Sequence, residues 1–144
     1  MTVTVLKKLI TIDPNHQSYG LNGTLPLSLG NLTKLKYFSV GFNALSRSPY
    51  ILGQLINLEY LYLYLNAFTG SIPTTFYNFT KLKVFSIGNN IFTGSTDSIL
   101  QVLYNNHNIT QFIIALNYFG GTIPYYIGQR TKLMYLDISY NNII

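Results

Sequence analysis

Apolar and polar residues alternate in five short windows of the chain, and each window ends in an asparagine. Each window has apolar residues at its first, fourth and sixth positions and an Asn at its ninth. These residues are Asn43, Asn66, Asn90, Asn117 and Asn141, and they are spaced 23, 24, 27 and 24 residues apart. They number coils one to five in chain order. Alternation with a period of two predicts a short strand in each window. A long repeat of this kind predicts a solenoid, whose equivalent strands stack as a parallel sheet at about 4.8 Å per coil.

The recurring Asn has a structural interpretation. A turn at the end of a strand leaves backbone N–H and C=O groups without partners in the sheet. An Asn side chain carries both donors and an acceptor, so it can satisfy these groups. We therefore expect the five Asn side chains to form a structural ladder, each stacked on the Asn of the next coil.

More columns line up after each Asn. An apolar residue stands two positions later in every coil, and Gly70, Gly94 and Gly121 stand four positions later. Ile-Pro pairs recur at 72–73 and 123–124. The pattern resembles the plant-type leucine-rich repeat, LxxLxLxxNxLxGxIPxxLGxLxx, over about residues 20–143. The resemblance implies a right-handed solenoid with short parallel strands on its concave face and 3₁₀ or irregular turns on its convex face.

The sequence predicts one repeat array over residues 1–144. Residues 1–20 match as an irregular partial coil, and about five coils follow from 21 to 144. Arg47 stands in the first coil where Gly is expected, and the fourth coil is lengthened around 95–108, so we expect its outer face to bulge. The chain has no Cys, whereas plant extracellular arrays usually carry Cys-paired caps; we therefore expect uncapped ends. We find neither a signal-peptide pattern nor a membrane-spanning segment.

Charged residues are scarce, which argues against catalysis. Only 9% of residues are charged and four are carboxylates. They form no acid pair or metal-ligand spacing, and the chain has no nucleophile motif. We therefore expect no enzyme activity, no metal and no cofactor. The net charge is +5, but a nucleic-acid groove needs denser Lys and Arg interleaved with aromatic residues, so we expect no nucleic acid as a partner.

The outward positions of the predicted strands are rich in tyrosine. Tyr provides a large contact area and a polar tip, which suits a peptide or protein interface; β-propensity in a Tyr-rich chain explains the enrichment equally well. The predicted ligand-binding residues of the concave face are Tyr37, Phe42, Tyr60, Tyr62, Tyr64, Tyr135, Tyr140, Lys36 and Lys83. The small outward residues that flank the Tyr62 and Tyr64 ridge are Ser39, Gly41, Ser86 and Gly88. A peptide is therefore expected to lie across coils one to three.

Four sequons mark candidate sites of N-glycosylation. Their asparagines are Asn22, Asn31, Asn78 and Asn108. Asn31 and Asn78 each precede a coil-opening Leu by four residues, on a loop expected to face solvent. The sequons favour a secreted glycoprotein; unmodified loops of a cytosolic protein are the alternative.

The family resemblance implies a recognition module of a plant cell-surface receptor. It implies a peptide or protein ligand on the concave sheet, a co-receptor as a further partner, and a location outside the plasma membrane or in the cell wall. Attachment to the membrane would require segments outside this chain. One alternative is a soluble wall-associated inhibitor or polysaccharide-binding protein, favoured by the lysine column Lys34, Lys81 and Lys132; an acidic polysaccharide is the weaker ligand candidate. The other is a truncated or intracellular scaffold.

Overall fold

The computed structural model describes residues 20–144, which form coils with two short parallel strands each. The predicted partial coil at 1–20 lies almost entirely outside the described residues. The strands are β1 (Asn22–Gly23), β2 (Tyr37–Ser39), β3 (Ala44–Arg47), β4 (Tyr60–Tyr62), β5 (Ala67–Gly70), β6 (Val84–Ser86), β7 (Ile91–Ser95), β8 (Gln111–Ile113), β9 (Tyr118–Gly121), β10 (Tyr135–Asp137) and β11 (Asn142–Ile143). The 3₁₀ helices are η1 (Leu27–Asn31), η2 (Tyr50–Gln54), η3 (Thr74–Asn78) and η4 (Tyr125–Gln129), and the α-helix is α1 (Thr96–Tyr104).

The windows of alternating residues form one parallel sheet, in the order β2-β4-β6-β8-β10. Its register places the same repeat position of each coil side by side, so that Phe38, Leu61, Phe85, Phe112 and Leu136 form one row. This sheet and the 3₁₀ turns confirm the predicted leucine-rich-repeat solenoid. The interior row is buried in coils one to four, but Leu136 of coil five is 38% exposed.

A second parallel sheet, which the sequence analysis did not predict, follows each Asn. It has the order β1-β3-β5-β7-β9-β11. Each of its strands contributes few inward residues, such as Phe68 in β5 and Phe92 in β7, so the alternation is too short to be recognised in the sequence. The rings of Phe68, Phe92 and Phe119 stack along this row, with centroid separations of 6.2 and 6.4 Å. The two sheets therefore enclose one apolar core.

The ladder asparagines connect neighbouring coils through the backbone. In the third coil, the Asn90 side chain accepts a hydrogen bond from the Phe68 N–H at 3.0 Å and donates to the carbonyl of Leu63 at 3.0 Å, both in the preceding coil. It also donates to Ile87 and Gly88 of its own coil. Asn66, Asn117 and Asn141 repeat this arrangement. Each of these side chains satisfies a turn and holds two coils in register.

Two backbone positions in the repeat adopt positive φ. The residue before each ladder Asn has φ between 53° and 56°, and these residues are Phe42, Leu65, Asn89, Leu116 and Tyr140. The glycine column is the second position, with φ of 85° at Gly70. Arg47, which replaces Gly there, still has φ of 64°. This region is costly for a residue with a Cβ, so coil one carries backbone strain that the glycine coils avoid.

The lengthened segment at 95–108, between the ladder residues Asn90 and Asn117, contains an α-helix, whereas the sequence analysis expected 3₁₀ turns and irregular loops outside the sheet. The Ser98 N–H donates to the Ser95 hydroxyl at 3.2 Å and so caps α1. Four apolar residues of α1 are buried, and these are Ile99, Leu100, Val102 and Leu103. The extra residues thus allow a full helical face to pack against the core. The apolar spacing after a capping Ser was the signal available in the sequence.

Candidate ligand-binding surface

Five aromatic side chains meet on the outward face of coils one and two. We call Tyr37, Phe42, Tyr60, Tyr62 and Tyr64 the aromatic platform. The register of β2 and β4 places Tyr37 beside Tyr60, and the ring centroids are 5.4 Å apart. Tyr37 is equally close to the ring of Tyr62, and Phe42 packs edge-on against Tyr64 at 5.4 Å. The rings are partly exposed, so they form one preformed apolar surface with polar tips.

The rings of Tyr37, Tyr62 and Tyr64 pack together and are partly buried. Burial, followed by the neighbouring tyrosines, raises the pKa of Tyr37 to about 12. Burial also raises the pKa of Tyr62 and of Tyr64. At neutral pH these three hydroxyl groups are therefore protonated and can act as donors and acceptors.

Three of the four small residues expected to flank the tyrosine ridge, Gly41, Ser86 and Gly88, do not form open slots. A Cβ added to Gly41 would lie 2.7 Å from the Tyr64 ring, so this ring covers the glycine. Ser86 is only 5% exposed, and it pairs in register with Tyr62. Gly88 is buried as well. The Tyr64 ring of the adjacent coil thus fills the space at Gly41, and at Gly88 an added Cβ would lie 3.1 Å from the carbonyl oxygen of Ala115 in the next coil. A ligand would therefore rest on the rings and not between them.

Tyr135 and Tyr140 do not join the platform. Tyr135 lies in β10, which is three strands from β4 in the sheet order, or about 14 Å at the spacing of a parallel sheet. Both side chains are strongly exposed, at 52% and 77%. The structure therefore divides the predicted aromatic residues into a cluster on coils one and two and a separate pair on coil five.

Lys36 and Lys83 converge on one carboxylate. The Lys36 Nζ lies 3.1 Å from Glu59 Oε1, and the Lys83 Nζ lies 2.7 Å from Glu59 Oε2. Hydrogen bonds from Lys83 and then Lys36 lower the pKa of Glu59, and the bond to Glu59 raises the pKa of Lys83. Lys83 also lies over the Tyr60 ring, 5.6 Å from its centroid. These two predicted ligand-binding lysines are thus partly neutralised, and they border the platform.

A cleft of about 490 Å³ opens beside this charged group, and Lys83 is the one lining residue that the sequence analysis assigned to the binding site. We call this space the lysine cleft, and its lining residues are Glu59, Lys81, Lys83, Asn108, Thr110 and Lys132. Lys81 Nζ donates to Asn57 Oδ1 at 2.6 Å, and Lys132 Nζ donates to Asn108 Oδ1 at 3.0 Å. The signal in the sequence was the lysine column, whose members lie in corresponding positions of the coils and therefore face the same edge.

The four sequon asparagines are exposed in the structure. Asn31 and Asn78 are the last residues of η1 and η3, on the turns where each coil returns towards the sheet. Asn22 lies in β1 at the start of the described residues. Asn108 differs from the others because its side chain accepts from Lys132 and lines the lysine cleft.

The described residues offer no arrangement for metal chemistry. Within residues 20–144, no group of three or more His, Cys, Asp or Glu side chains could hold a metal ion. Glu59 is bound by two lysines, and Asp137 accepts from the backbone N–H and hydroxyl of Ser139. No helix in this part of the chain is long and apolar enough to cross a membrane.

Comparison with known proteins agrees with this architecture. A family model described as Leucine Rich Repeat matches residues 57–79. No curated protein sequence matches the chain significantly. A crystal structure of a TDR receptor is 35% identical with a TM-score of 0.75, and the match covers 85% of this chain and 21% of the receptor chain. This chain therefore spans about a fifth of the length of that receptor.

Two further structures come from Arabidopsis. The ectodomain of the receptor kinase SOBIR1 from Arabidopsis thaliana is 28% identical with a TM-score of 0.76, over 88% of this chain and 68% of that one. The receptor kinase HAESA, in complex with the peptide hormone IDA and the co-receptor SERK1, is 28% identical with a TM-score of 0.71, over 86% and 20%. The repeats and the two-sheet solenoid show a leucine-rich-repeat fold, and in this fold the chain is similar to the ectodomains of plant receptor kinases.

Proposed function

We propose that the chain is a recognition segment of a plant cell-surface receptor and binds a peptide or protein ligand on the aromatic platform. The observation that supports this most directly is the cluster of five partly exposed aromatic rings on one face of a rigid sheet. Large rings with few rotatable bonds lose little entropy on binding, which is why Tyr is frequent among residues that dominate interfaces. The platform needs no folding step before it binds.

The structural likenesses support the class of ligand and partner. The HAESA structure contains a peptide hormone and a co-receptor, and another similar structure, 32% identical, is PEPR1 with AtPEP1. By analogy, we propose that this array contacts a peptide on its concave sheet, takes part in a complex with a co-receptor, and does so outside the plasma membrane. The leucine-rich-repeat fold is generally a recognition module without catalytic activity, and binding is the activity proposed here.

The test starts from a ligand selected for binding. A library of random peptides, each about 12 residues long, is selected for binding to the 144-residue chain. The affinity of the recovered peptide is then measured for three variants of the chain. The first changes Tyr60, Tyr62 and Tyr64 to Ser. The second changes the same residues to Phe, which keeps the rings. The third changes the exposed Tyr118 and Tyr125, which lie outside the platform, to Ser.

We expect the Ser triple variant to lose at least about thirtyfold in affinity, the effect of one interface hot spot of about 2 kcal/mol. The Phe triple variant should lose less, because the contact area remains. The Tyr118 and Tyr125 variant should bind as the original chain does. Circular dichroism verifies that the variants are folded. Unchanged affinity in the Ser triple variant would show that the platform is not the binding surface.

A further inference from the structure

The lysine cleft has more lysine ammonium groups than carboxylates to neutralise them. Three of its lining residues are lysines and one, Glu59, is a carboxylate. Glu59 is already shared between Lys83 and Lys36. Lys81 and Lys132 are held by the amide oxygens of Asn57 and Asn108, and no carboxylate within the described residues forms an ion pair with either. An amide oxygen orients an ammonium group without neutralising it, so two charges remain directed towards one cleft.

The cleft is a product of the solenoid and not of a flexible surface chain. Its residues come from coils two to five, and the sheet fixes their spacing. The Thr110 hydroxyl donates to the Lys83 carbonyl at 3.0 Å, and the Asn108 side chain contacts the Thr80 carbonyl at 3.5 Å. These contacts hold the polar wall while the lysines supply the charge. Clefts with low-dielectric walls and charge of one sign concentrate the field and attract ligands of opposite sign.

We propose that the lysine cleft binds an acidic side chain of the same peptide ligand whose apolar residues rest on the aromatic platform. The cleft and the platform are continuous, because Glu59 immediately precedes β4 and Lys83 lies over the Tyr60 ring. This proposal rests on the proposed function, since it assigns the ligand its chemistry: an acidic residue beside an apolar or aromatic one. Lys81 and Lys132 are the recognising groups, and Asn57 and Asn108 are the positioning residues.

The experiment uses a fluorescein-labelled peptide of sequence Phe-Gly-Glu-Gly-Glu and its counterpart with Gln in place of both Glu. Binding to the 144-residue chain is followed by fluorescence anisotropy at low salt. Lys132→Gln removes a cleft lysine. Lys34→Gln removes the same charge from the same repeat column outside the cleft, so the two variants have equal net charge.

We expect the Glu peptide to bind more tightly than the Gln peptide. Lys132→Gln should weaken the Glu peptide about fivefold, the upper range for a solvent-accessible ion pair, and Lys34→Gln less than twofold. Higher salt should reduce the difference. Equal losses in the two lysine variants, or equal binding of the two peptides, would show attraction by net charge alone and overturn the proposal.

The Ser triple variant of the platform separates this proposal from the proposed function. If the Glu peptide depends on Lys132 and also on the platform tyrosines, both proposals are supported. If it depends on Lys132 alone, the cleft recognises acid but the platform does not bind, and the proposed function fails. An oligogalacturonide that binds through Lys132 more tightly than the Glu peptide, and without the tyrosines, would replace the peptide by an acidic polysaccharide and overturn the proposal.

Discussion

The ladder asparagine of coil three offers a direct measure of what holds neighbouring coils together. In Asn90→Ala, the carbonyls of Leu63 and Ile87 keep hydrogen bonds from Asn66 and Asn117. The Phe68 N–H, however, loses the acceptor that Asn90 gave it. A buried, unsatisfied N–H costs about 2 kcal/mol, and the loss of the shared donor bonds adds about 1–2 kcal/mol. We expect the free energy of unfolding to fall by about 3–4 kcal/mol in total.

Asn141→Ala is the matched control. Asn141 makes the same set of hydrogen bonds in coil five, including one from the Phe119 N–H at 3.0 Å. Asn90 is 6% exposed, whereas Asn141 is only partly buried, so water can replace its bonds. We expect Asn141→Ala to cost about 1 kcal/mol. Urea unfolding at neutral pH, followed by circular dichroism, gives both values.

A third variant separates the acceptor of the Asn90 side chain from its donor. Asn90→Asp keeps an oxygen for the Phe68 N–H but directs a second oxygen at the carbonyls of Leu63 and Ile87. Because this also buries a charge, we expect Asp to destabilise the chain at least as much as Ala at neutral pH. Equal losses for Asn90→Ala and Asn141→Ala, or an Asp variant as stable as the original chain, would refute the explanation given for the ladder.

Two further predictions concern the backbone and the platform. Arg47→Gly should stabilise the chain by about 1 kcal/mol, because Arg47 has φ of 64° at a position where Gly70 has φ of 85° and no Cβ. Arg47→Lys is the control and should leave the midpoint of urea unfolding unchanged. A lower midpoint for Arg47→Gly would contradict the proposed backbone strain. Tyr37 should titrate at about 12 against an ordinary pKa of 10.0, followed by NMR of labelled tyrosine and assigned with Tyr37→Phe. Since its pKa is raised by folding, Tyr37 contributes stability that is full below pH 10.0 and is lost as pH rises towards about 12. Tyr62→Phe removes a neighbouring hydroxyl that raises the pKa of Tyr37, so it should lower that pKa, and an unchanged value would contradict this interaction.

The repeat made the first sheet predictable, because one sequence column becomes one row of the structure. The closeness of Tyr37 and Tyr60 follows from this register alone. The second sheet was not predicted, because each of its strands contributes few inward residues. Helix α1 was not predicted either, because the repeat pattern was given more weight than the helical spacing of apolar residues after Ser95. Sequence analysis also expected Gly41 to be uncovered. Alternation gives the face on which Tyr64 lies, but it does not give the direction in which the Tyr64 ring leans.

Charge was the least predictable property of the surface, although the positions of all the lysines in the repeat could be read from the sequence. Lys36 and Lys83 were chosen for binding, yet Glu59 from the intervening coil lies between them and compensates both in part. Lys81 and Lys132 lie along the edge of the sheet, where the facing groups are the neutral Asn57 and Asn108. The difference between a neutralised and an available lysine therefore depends on which residue the adjacent coil places opposite it.

This dependence connects the lysine cleft with one of the sequons. Asn108 and Thr110, the two recognised positions of the sequon in coil four, both line the cleft. A glycan is attached through the Asn side-chain nitrogen, and at Asn108 that nitrogen lies near Thr80, while the oxygen accepts from Lys132. A sugar at this position would extend from the wall of a space of about 490 Å³ that the proposed acidic side chain also needs. We therefore expect a glycan on Asn108 to weaken binding of an acidic ligand in the cleft, whereas glycans on Asn31 and Asn78, at the ends of η1 and η3, should leave the cleft open.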